Sequence, residues 1–204
     1  MEQRSDEWFK ARLGKVTASA VADVMAKTKS GYGASRANLM AKLITERLTG
    51  QPAESYTNGA MQWGIDNEDT ARAAVAFYLG QEIHEVGFIE HPTIMDFGAS
   101  PDGLIGSDGM LEIKCPNTAT HLAYLRERQI PQKYLLQMQT QMVCADRKWN
   151  LFVSFDPRLP IRLQMFSQRV ERDNDLIAEI ESEVQKFLRE MQEYIDELDA
   201  LYPE

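Results

Sequence analysis

The sequence predicts a mixed α/β fold in which one mixed β-sheet is flanked by helices. Residues 1–80 show helical periodicity, the middle of the chain changes to short alternating segments, and the end returns to a long amphipathic helix. A chain of 204 residues with 44% hydrophobic residues can bury a core without disulfides or a structural metal. We therefore expect a single domain over 1–204, with a helical part at 1–80, a sheet core at 81–168 and a C-terminal helix at 171–201.

The N-terminal part is predicted to be helical with one flexible loop. Thr17 is a candidate N-cap for the second helix, and Gly50 and Pro52 are stop signals after the third. The predicted helices cover 5–13, 17–26, 35–48 and 59–79, and the loop covers 27–35.

The middle of the chain is predicted to form strands in a meander, followed by two helices and two more strands. The predicted strands cover 86–92, 97–106, 109–116, 149–155 and 162–170, and the helices cover 119–128 and 131–145. The last helix carries one apolar stripe made of Ile177, Ile180, Val184, Phe187, Met191 and Leu198.

Composition limits the class of protein. The first residues are charged and contain no apolar signal segment, and no apolar run approaches the roughly 20 residues that cross a bilayer. Two cysteines are too few for a structural zinc or iron–sulfur site. We expect a soluble, cytoplasmic protein with no membrane association. The net charge of −9 does not exclude nucleic acid, because residues 4–36 are net basic while acid is concentrated in 171–204.

The densest chemistry lies in the segment SPDGLIGSDGMLEIKCP. Asp102 ends one predicted strand, and Glu112 and Lys114 lie on the next. Period-two alternation places Glu112 and Lys114 on one face, with Ile113 on the other. Two carboxylates supply oxygen ligands for Mg²⁺, and a lysine beside them can orient water, deprotonate it if its own pKa is depressed, and stabilise developing charge. This pattern predicts a PD-(D/E)xK site for phosphodiester hydrolysis.

The alternative interpretation is a surface hairpin with an ordinary Glu–Lys pair, because short motifs of this kind are common. The surrounding residues favour the site. Pro116 ends the second strand, and the aliphatic residues Leu111 and Ile113 bracket Glu112 as in a buried strand.

Five blocks of sequence resemble the phage-lambda-type alkaline exonucleases, the YqaJ-like viral recombinase family. They occur in the family's order and cover most of the chain. The blocks are EWFKARLGKVTAS at 7–19, WGIDNEDTAR at 63–72, SPDG at 100–103, LEIKCP at 111–116 and YLLQMQ at 134–139. The resemblance implies a restriction-endonuclease-like α/β fold.

The resemblance also implies a two-ion site for Mg²⁺, with Mn²⁺ as a substitute. Asp102, Glu112 and the backbone carbonyl of Ile113 would bind the first ion, Glu68 would join Asp102 on the second, and Lys114 would hold the attacking water. From its residues alone, Glu68 is better explained as a solvated helix carboxylate beside Asp66 and Asp69.

A pocket for a terminal 5′-phosphate is implied at Arg12, Ser19, Ser100 and Gln137. Arginine can grip phosphate with its planar fork, and Ser19 lies in the first turn of a predicted helix, where free N–H groups attract anions. The alternatives are a surface salt bridge for Arg12, a helix cap for Ser19 and an exposed polar role for Gln137 and its helix-face neighbour Gln141.

Two further positions are implied to contact DNA. Trp8 matches an aromatic position near the DNA, and a core position in the first helix explains it equally well. Lys29 in the glycine-containing loop matches a basic position, and the alternative is a solvated loop lysine.

The resemblance implies a homotrimeric ring that removes 5′-mononucleotides processively from the 5′-phosphorylated strand of double-stranded DNA ends. The 3′ overhang left behind would load a single-strand annealing protein for recombination. Two rivals stay open: a site-specific DNA endonuclease on the same fold, and a non-catalytic DNA-end clamp or recombination adaptor.

Overall fold

The computed structural model describes residues 1–53 and 59–203. Local signals set several helix ends: Ser5 caps the first helix by accepting from the Trp8 amide, and the third ends at Gly50 with a φ of 64°. The helices are α1 (Asp6–Arg12), α2 (Val21–Val24), α3 (Ala34–Thr49), α4 (Gly59–Leu79), α5 (Thr118–Glu127), α6 (Gln132–Cys144) and α7 (Asn174–Leu201).

Ten strands are present in the described residues, and most are short. Of these, β8, β9 and β10 exceed three residues. The strands are β1 (Val16–Thr17), β2 (Lys27–Thr28), β3 (Gly31–Tyr32), β4 (Ile83–His84), β5 (Ile89–Glu90), β6 (Phe97–Ala99), β7 (Gly103–Ile105), β8 (Gly109–Lys114), β9 (Trp149–Phe155) and β10 (Met165–Glu171).

The central sheet has five strands in the order β10-β9-β8-β7-β4. Strands β8 and β9 are parallel, and α5 and α6 form the crossover between them, whereas the other pairs are antiparallel. The predicted mixed sheet flanked by helices is therefore confirmed.

The predicted single meander is wrong, because the chain changes sheets after β6. Strand β6 belongs to a separate three-stranded sheet, where it pairs in parallel with β1 and antiparallel with β5. Residues 100–102 then carry the chain into the central sheet, where β7 and β8 form a hairpin. The segment predicted as one strand over 97–106 is thus two strands joined by a short link.

Helices cover both faces of the central sheet. On one face α4 packs Ala71 and Val75 against Ile113 and its strand neighbours. On the other face, Met138 of α6 packs against Phe152 of β9. The apolar stripe of α7 fills a further core with α2 and α3, as its spacing predicts.

Two N-terminal expectations are wrong. Instead of a helix over 17–26, Thr17 pairs in β1 and leads into a 3₁₀ turn at Ala18–Ala20 without capping it through its side chain. Because the backbone of Val16 and Thr17 pairs with β6 and a 3₁₀ turn follows, only the four residues of α2 are α-helical. The expected loop at 27–35 contains the β2–β3 hairpin.

Smaller differences occur at two later strand and helix ends. Residues 162–163 of the expected last strand lie in a 3₁₀ turn, and β10 begins at Met165. The last helix begins at Asn174, where Asp173 caps it by accepting from the amides of Asp175 and Leu176. In the described residues, no helix is long and apolar enough to cross a membrane.

Candidate active site

Strand β8 separates its side chains between the two faces of the sheet. Glu112 is fully buried and faces α6, and Lys114 lies over the ring of Tyr134 with its Nζ 5.1 Å from the ring centroid. Ile113 packs on the opposite face against α4. The alternation read from the sequence therefore describes this strand correctly.

Asp102 lies in the link just before β7. Its Oδ2 accepts from the Ile113 amide at 2.6 Å, which ties the carboxylate to the middle of the Glu112–Lys114 segment. Burial, together with repulsion from Glu112 and Glu68, raises the pKa of Asp102 well above its ordinary value. A divalent cation at this position would relieve that repulsion.

Lys114 forms an ion pair with Glu112. Burial alone would lower the pKa of Lys114, but attraction to Glu112 and Asp102 outweighs it and raises the pKa above the ordinary lysine value. Lys114 is therefore a cation in this arrangement. That charge state suits orienting water and offsetting negative charge.

Glu68 of α4 reaches the same region through two arginines. Arg72 donates to Glu68 Oε1 at 2.9 Å and to the carbonyl of Asp102 at 2.9 Å, and Arg4 donates to Glu68 Oε2 at 2.5 Å. Glu68 is therefore an engaged carboxylate beside Asp102 and not a solvated one. The helical spacing of Glu68 and Arg72 was a signal for the Arg72 contact, but no local pattern pointed to Arg4.

Two glutamines of α6 bind Glu112. Gln137 donates to Oε1 at 2.7 Å and Gln141 donates to Oε2 at 2.5 Å. The interpretation of both as exposed polar residues is wrong, since Gln141 is fully buried and Gln137 is half-buried against Glu112. Their spacing of four residues was the signal that both face the site.

A second cluster forms where α1 meets the Ser100–Asp102 link. The Arg12 guanidinium stacks 4.0 Å from the Trp8 ring centroid, and both side chains donate to Ser100 Oγ, at 3.0 Å from Arg12 and 2.9 Å from Trp8. Burial lowers the pKa of Arg12 to about 10, with Glu46 opposing the shift, so the side chain stays cationic at neutral pH. Trp8 is not a core residue, because α1 buries none of its residues fully.

Of the remaining predicted positions, Ser19 and Lys29 are exposed, whereas Gln137 lies in the carboxylate site. Ser19 is exposed, shares a hydrogen bond with Thr17, and lines a cavity of about 440 Å³ together with Arg12. Lys29 is exposed in the turn of the β2–β3 hairpin. Gln137 contacts Glu112, so its placement joins it to the carboxylates.

A cleft of about 600 Å³ opens over the carboxylate site. Arg4, Glu68, Lys114 and Tyr134 contribute to its walls. The donor set of Asp102, Glu112 and the Ile113 carbonyl consists of hard oxygen atoms and fits Mg²⁺. Within 1–53 and 59–203, no three His, Cys, Asp or Glu side chains are already grouped at metal-binding spacing. A second ion held by Glu68 would therefore require its arginine pairs to shift.

The fold and this site define the class: a restriction-endonuclease-like α/β fold carrying a PD-(D/E)xK constellation. The model of the YqaJ-like viral recombinase domain matches residues 7–148. The chain belongs to this family.

Solved structures agree with this assignment. The chain is 52% identical to LHK-Exo, an alkaline exonuclease from Laribacter hongkongensis, with a TM-score of 0.90 over 96% of this chain and 97% of that one. LHK-Exo in complex with dAMP gives a TM-score of 0.91 at the same identity and coverage. A phage-related exonuclease from Haemophilus somnus 129PT is 18% identical with a TM-score of 0.75, over 90% of this chain and 96% of that one, and supports the fold alone. Among curated proteins, none matches this sequence.

Proposed function

We propose that this protein is a Mg²⁺-dependent exonuclease that degrades the 5′-phosphorylated strand of double-stranded DNA from its end. One observation carries the proposal: the link Ser100–Asp102 joins the Arg12 cluster to the carboxylate site. Two residues of extended chain span at most about 7 Å. The positively charged Arg12 cluster can bind an anion and lies close to the carboxylate site. This arrangement suits an enzyme that holds a terminal phosphate while it hydrolyses a nearby diester.

The residues divide the work as follows. Asp102, Glu112 and the Ile113 carbonyl would hold one ion, and Glu68 would join Asp102 on a second. When bound, Mg²⁺ supplies charge neutralisation and a more acidic water, and Mn²⁺ can replace it. Lys114 orients the attacking water and offsets the charge that develops on the phosphate. Arg12, with Ser100 and Ser19, grips the terminal phosphate.

The relative supports the product class. LHK-Exo is described in complex with dAMP, a deoxynucleoside 5′-monophosphate. We propose that the present protein likewise releases 5′-mononucleotides and leaves a 3′ overhang. A single-strand annealing protein would then bind that overhang during recombination.

We also propose a processive homotrimer of phage or prophage origin. A ring that encloses duplex DNA explains how a protein with a net charge of −9 works on a polyanion, since the basic N-terminal part would face the channel and the acidic α7 would face outward. The proposal also draws on membership in the viral recombinase family.

The decisive experiment compares end chemistries. A terminal 5′-phosphate carries more charge than an internal diester, so an Arg12 pocket should favour it. We expect linear duplex with 5′-phosphate ends to be degraded faster than duplex with 5′-hydroxyl ends, and covalently closed circles to stay intact. Initial rates should be measured at fixed salt for the wild type, for Arg12→Ala and for the control Lys10→Ala, an exposed basic residue on the same helix.

Arg12→Ala should flatten the phosphate preference and shorten the processive run, and Lys10→Ala should keep both. Cleavage of closed circles by the wild type would instead support a site-specific endonuclease. Tight binding of ends without any cleavage in Mg²⁺ or Mn²⁺ would support a non-catalytic clamp. A preference that survives Arg12→Ala would show that the phosphate pocket lies elsewhere.

A further inference from the structure

A chain of buried amides lies behind Glu112 on the core side of β8. Gln141 of α6 donates its amide to Glu112 Oε2 at 2.5 Å, and Asn150 of β9 donates to Gln141 Oε1 at 2.7 Å. All three side chains are fully buried. Polar side chains are this deeply buried only when a specific arrangement compensates the cost of removing them from water.

The direction of each hydrogen bond in this chain is determined by chemistry. The Glu112 carboxylate can only accept, so the NH₂ group of Gln141 must face it and the Gln141 oxygen must face Asn150. Asn150 can satisfy that oxygen only through its own NH₂ group. Its Oδ1 is left without a partner among the described residues, a cost that the fold accepts at this position.

The two oxygens of Glu112 therefore have different environments. Oε2 points to the core and is held by Gln141. Oε1 meets Lys114, which lines the cleft, and the half-buried Gln137. Because the terminal torsion of a glutamate is broad, a carboxylate without the Gln141 bond would sample other orientations.

We propose that Gln141, held in place by Asn150, is a positioning residue that fixes the Glu112 carboxylate so that Oε1 faces the metal position. The inference rests on the proposed function, since it assigns Gln141 to the metal site of that reaction. Partners of a ligand in this position typically change metal affinity or activity by roughly 10–100-fold when they are removed.

The same helix offers a matched control. Gln139 is also buried and also uses both ends of its amide, donating to the Glu171 carbonyl at 2.8 Å and accepting from the Asp173 amide at 2.9 Å. Those contacts tie α6 to the start of α7 and do not reach Glu112. Gln139→Met therefore removes a comparable pair of hydrogen bonds from the fold alone.

The test measures Mn²⁺ binding by electron paramagnetic resonance of free Mn²⁺, with thermal unfolding and the Mg²⁺ dependence of cleavage measured alongside. Gln141→Met should weaken Mn²⁺ binding by about 10–100-fold and raise the half-saturating Mg²⁺ concentration in parallel. Gln139→Met should lower the unfolding temperature but bind Mn²⁺ as the wild type does. Asn150→Leu, which keeps Gln141 but lets its amide turn, should shift binding in the same direction by a smaller factor.

Each outcome bears on the inference. If Gln141→Met does not fold, Asn150→Leu decides it by the same Mn²⁺ measurement. The inference is overturned if Gln141→Met and Asn150→Leu both bind Mn²⁺ as tightly as Gln139→Met does. If the wild type binds Mn²⁺ and cuts DNA in that case, the proposed function stays intact. A wild type that neither binds Mn²⁺ nor cleaves DNA overturns both.

Discussion

At the scale of single residues, the charge state of Lys114 sets its chemical role. Sequence reasoning allowed Lys114 either to orient the attacking water or to deprotonate it with a depressed pKa. Its pKa is instead raised, because the attraction of Glu112 and Asp102 outweighs burial. In the proposed reaction the side chain would act as a positive charge that stabilises the charge developing on the phosphate.

Replacing Lys114 separates catalysis from metal binding. We expect Lys114→Ala to lower the single-turnover cleavage rate by about 10²–10⁴-fold, the range for losing a group that stabilises or moves charge in the transition state. Metal binding should persist, because Glu112 loses a competing cation. Asp102→Ala should abolish both cleavage and metal binding at the first position.

Lys148→Ala is the matched control, since Lys148 pairs with Asp108 at 3.1 Å in an exposed lysine–carboxylate contact away from the cleft. Rates at saturating Mn²⁺ and direct Mn²⁺ binding should be measured for all three variants. A Lys114→Ala enzyme that cuts within roughly tenfold of the wild type would assign the lysine a structural role.

At the scale of elements, the β2–β3 hairpin is held by the C-terminal helix. Lys27 and Tyr32, one from each strand, both bond to Glu183 of α7, at 2.7 and 2.6 Å. Lys186 donates to the Tyr32 hydroxyl at 3.0 Å, and the Arg36 guanidinium lies 4.0 Å from the Tyr32 ring centroid. The acidic helix thus fixes the hairpin whose turn carries Lys29.

Removing Glu183 should loosen this hairpin without unfolding the core. We expect Glu183→Ala to increase the rate of tryptic cleavage after Lys27 and Lys29 several-fold, since local opening sets the rate of nicking. DNA binding should weaken as well. Glu193→Ala, an exposed carboxylate further along α7, serves as the control. Equal nicking rates for the two variants would show that Glu183 does not hold the hairpin.

The contact of Glu183 with the β2–β3 hairpin also depends on pH. Hydrogen bonds from Lys27 and Tyr32 lower the pKa of Glu183 below its ordinary value. Its contribution is therefore fully present above the ordinary glutamate pKa and is lost as the pH falls through the lowered value. Neutral and mildly acidic solutions should leave the hairpin in place.

At the scale of the whole molecule, the proposed homotrimer would enclose the DNA substrate. Residues 4–36 are net basic, and acidic residues are concentrated after residue 170. A single chain would offer DNA only a small basic surface. Three copies around a channel would combine three such surfaces and leave the acidic helices outside.

The trimer has a direct test. We expect light scattering after size-exclusion chromatography to give three times the chain mass of 23.2 kDa, unchanged on moderate dilution. In the presence of a DNA trap, such an assembly should finish degrading the strand it has begun. A stable monomer that is equally processive would exclude the ring as the source of processivity.

The sequence alone determined the features that depend on local periodicity and capping. The alternation of Glu112, Ile113 and Lys114 follows from the two-residue repeat of a strand, and the end of α3 at Gly50 follows from the left-handed conformation that glycine adopts freely. The family blocks added the expected site residues, including Glu68, for which the residues themselves favoured a solvated helix carboxylate.

Only the tertiary structure decided which groups meet. The change of sheets at Ser100–Asp102, the pair of Glu68 with Arg4 and the burial of Gln141 against Glu112 all bring together residues far apart in the chain. They depend on α4 and α6 packing on opposite faces of one sheet, and no local pattern encodes that packing. Local sequence therefore gave the donor groups of the site, and long-range packing set their partners, charge states and orientation.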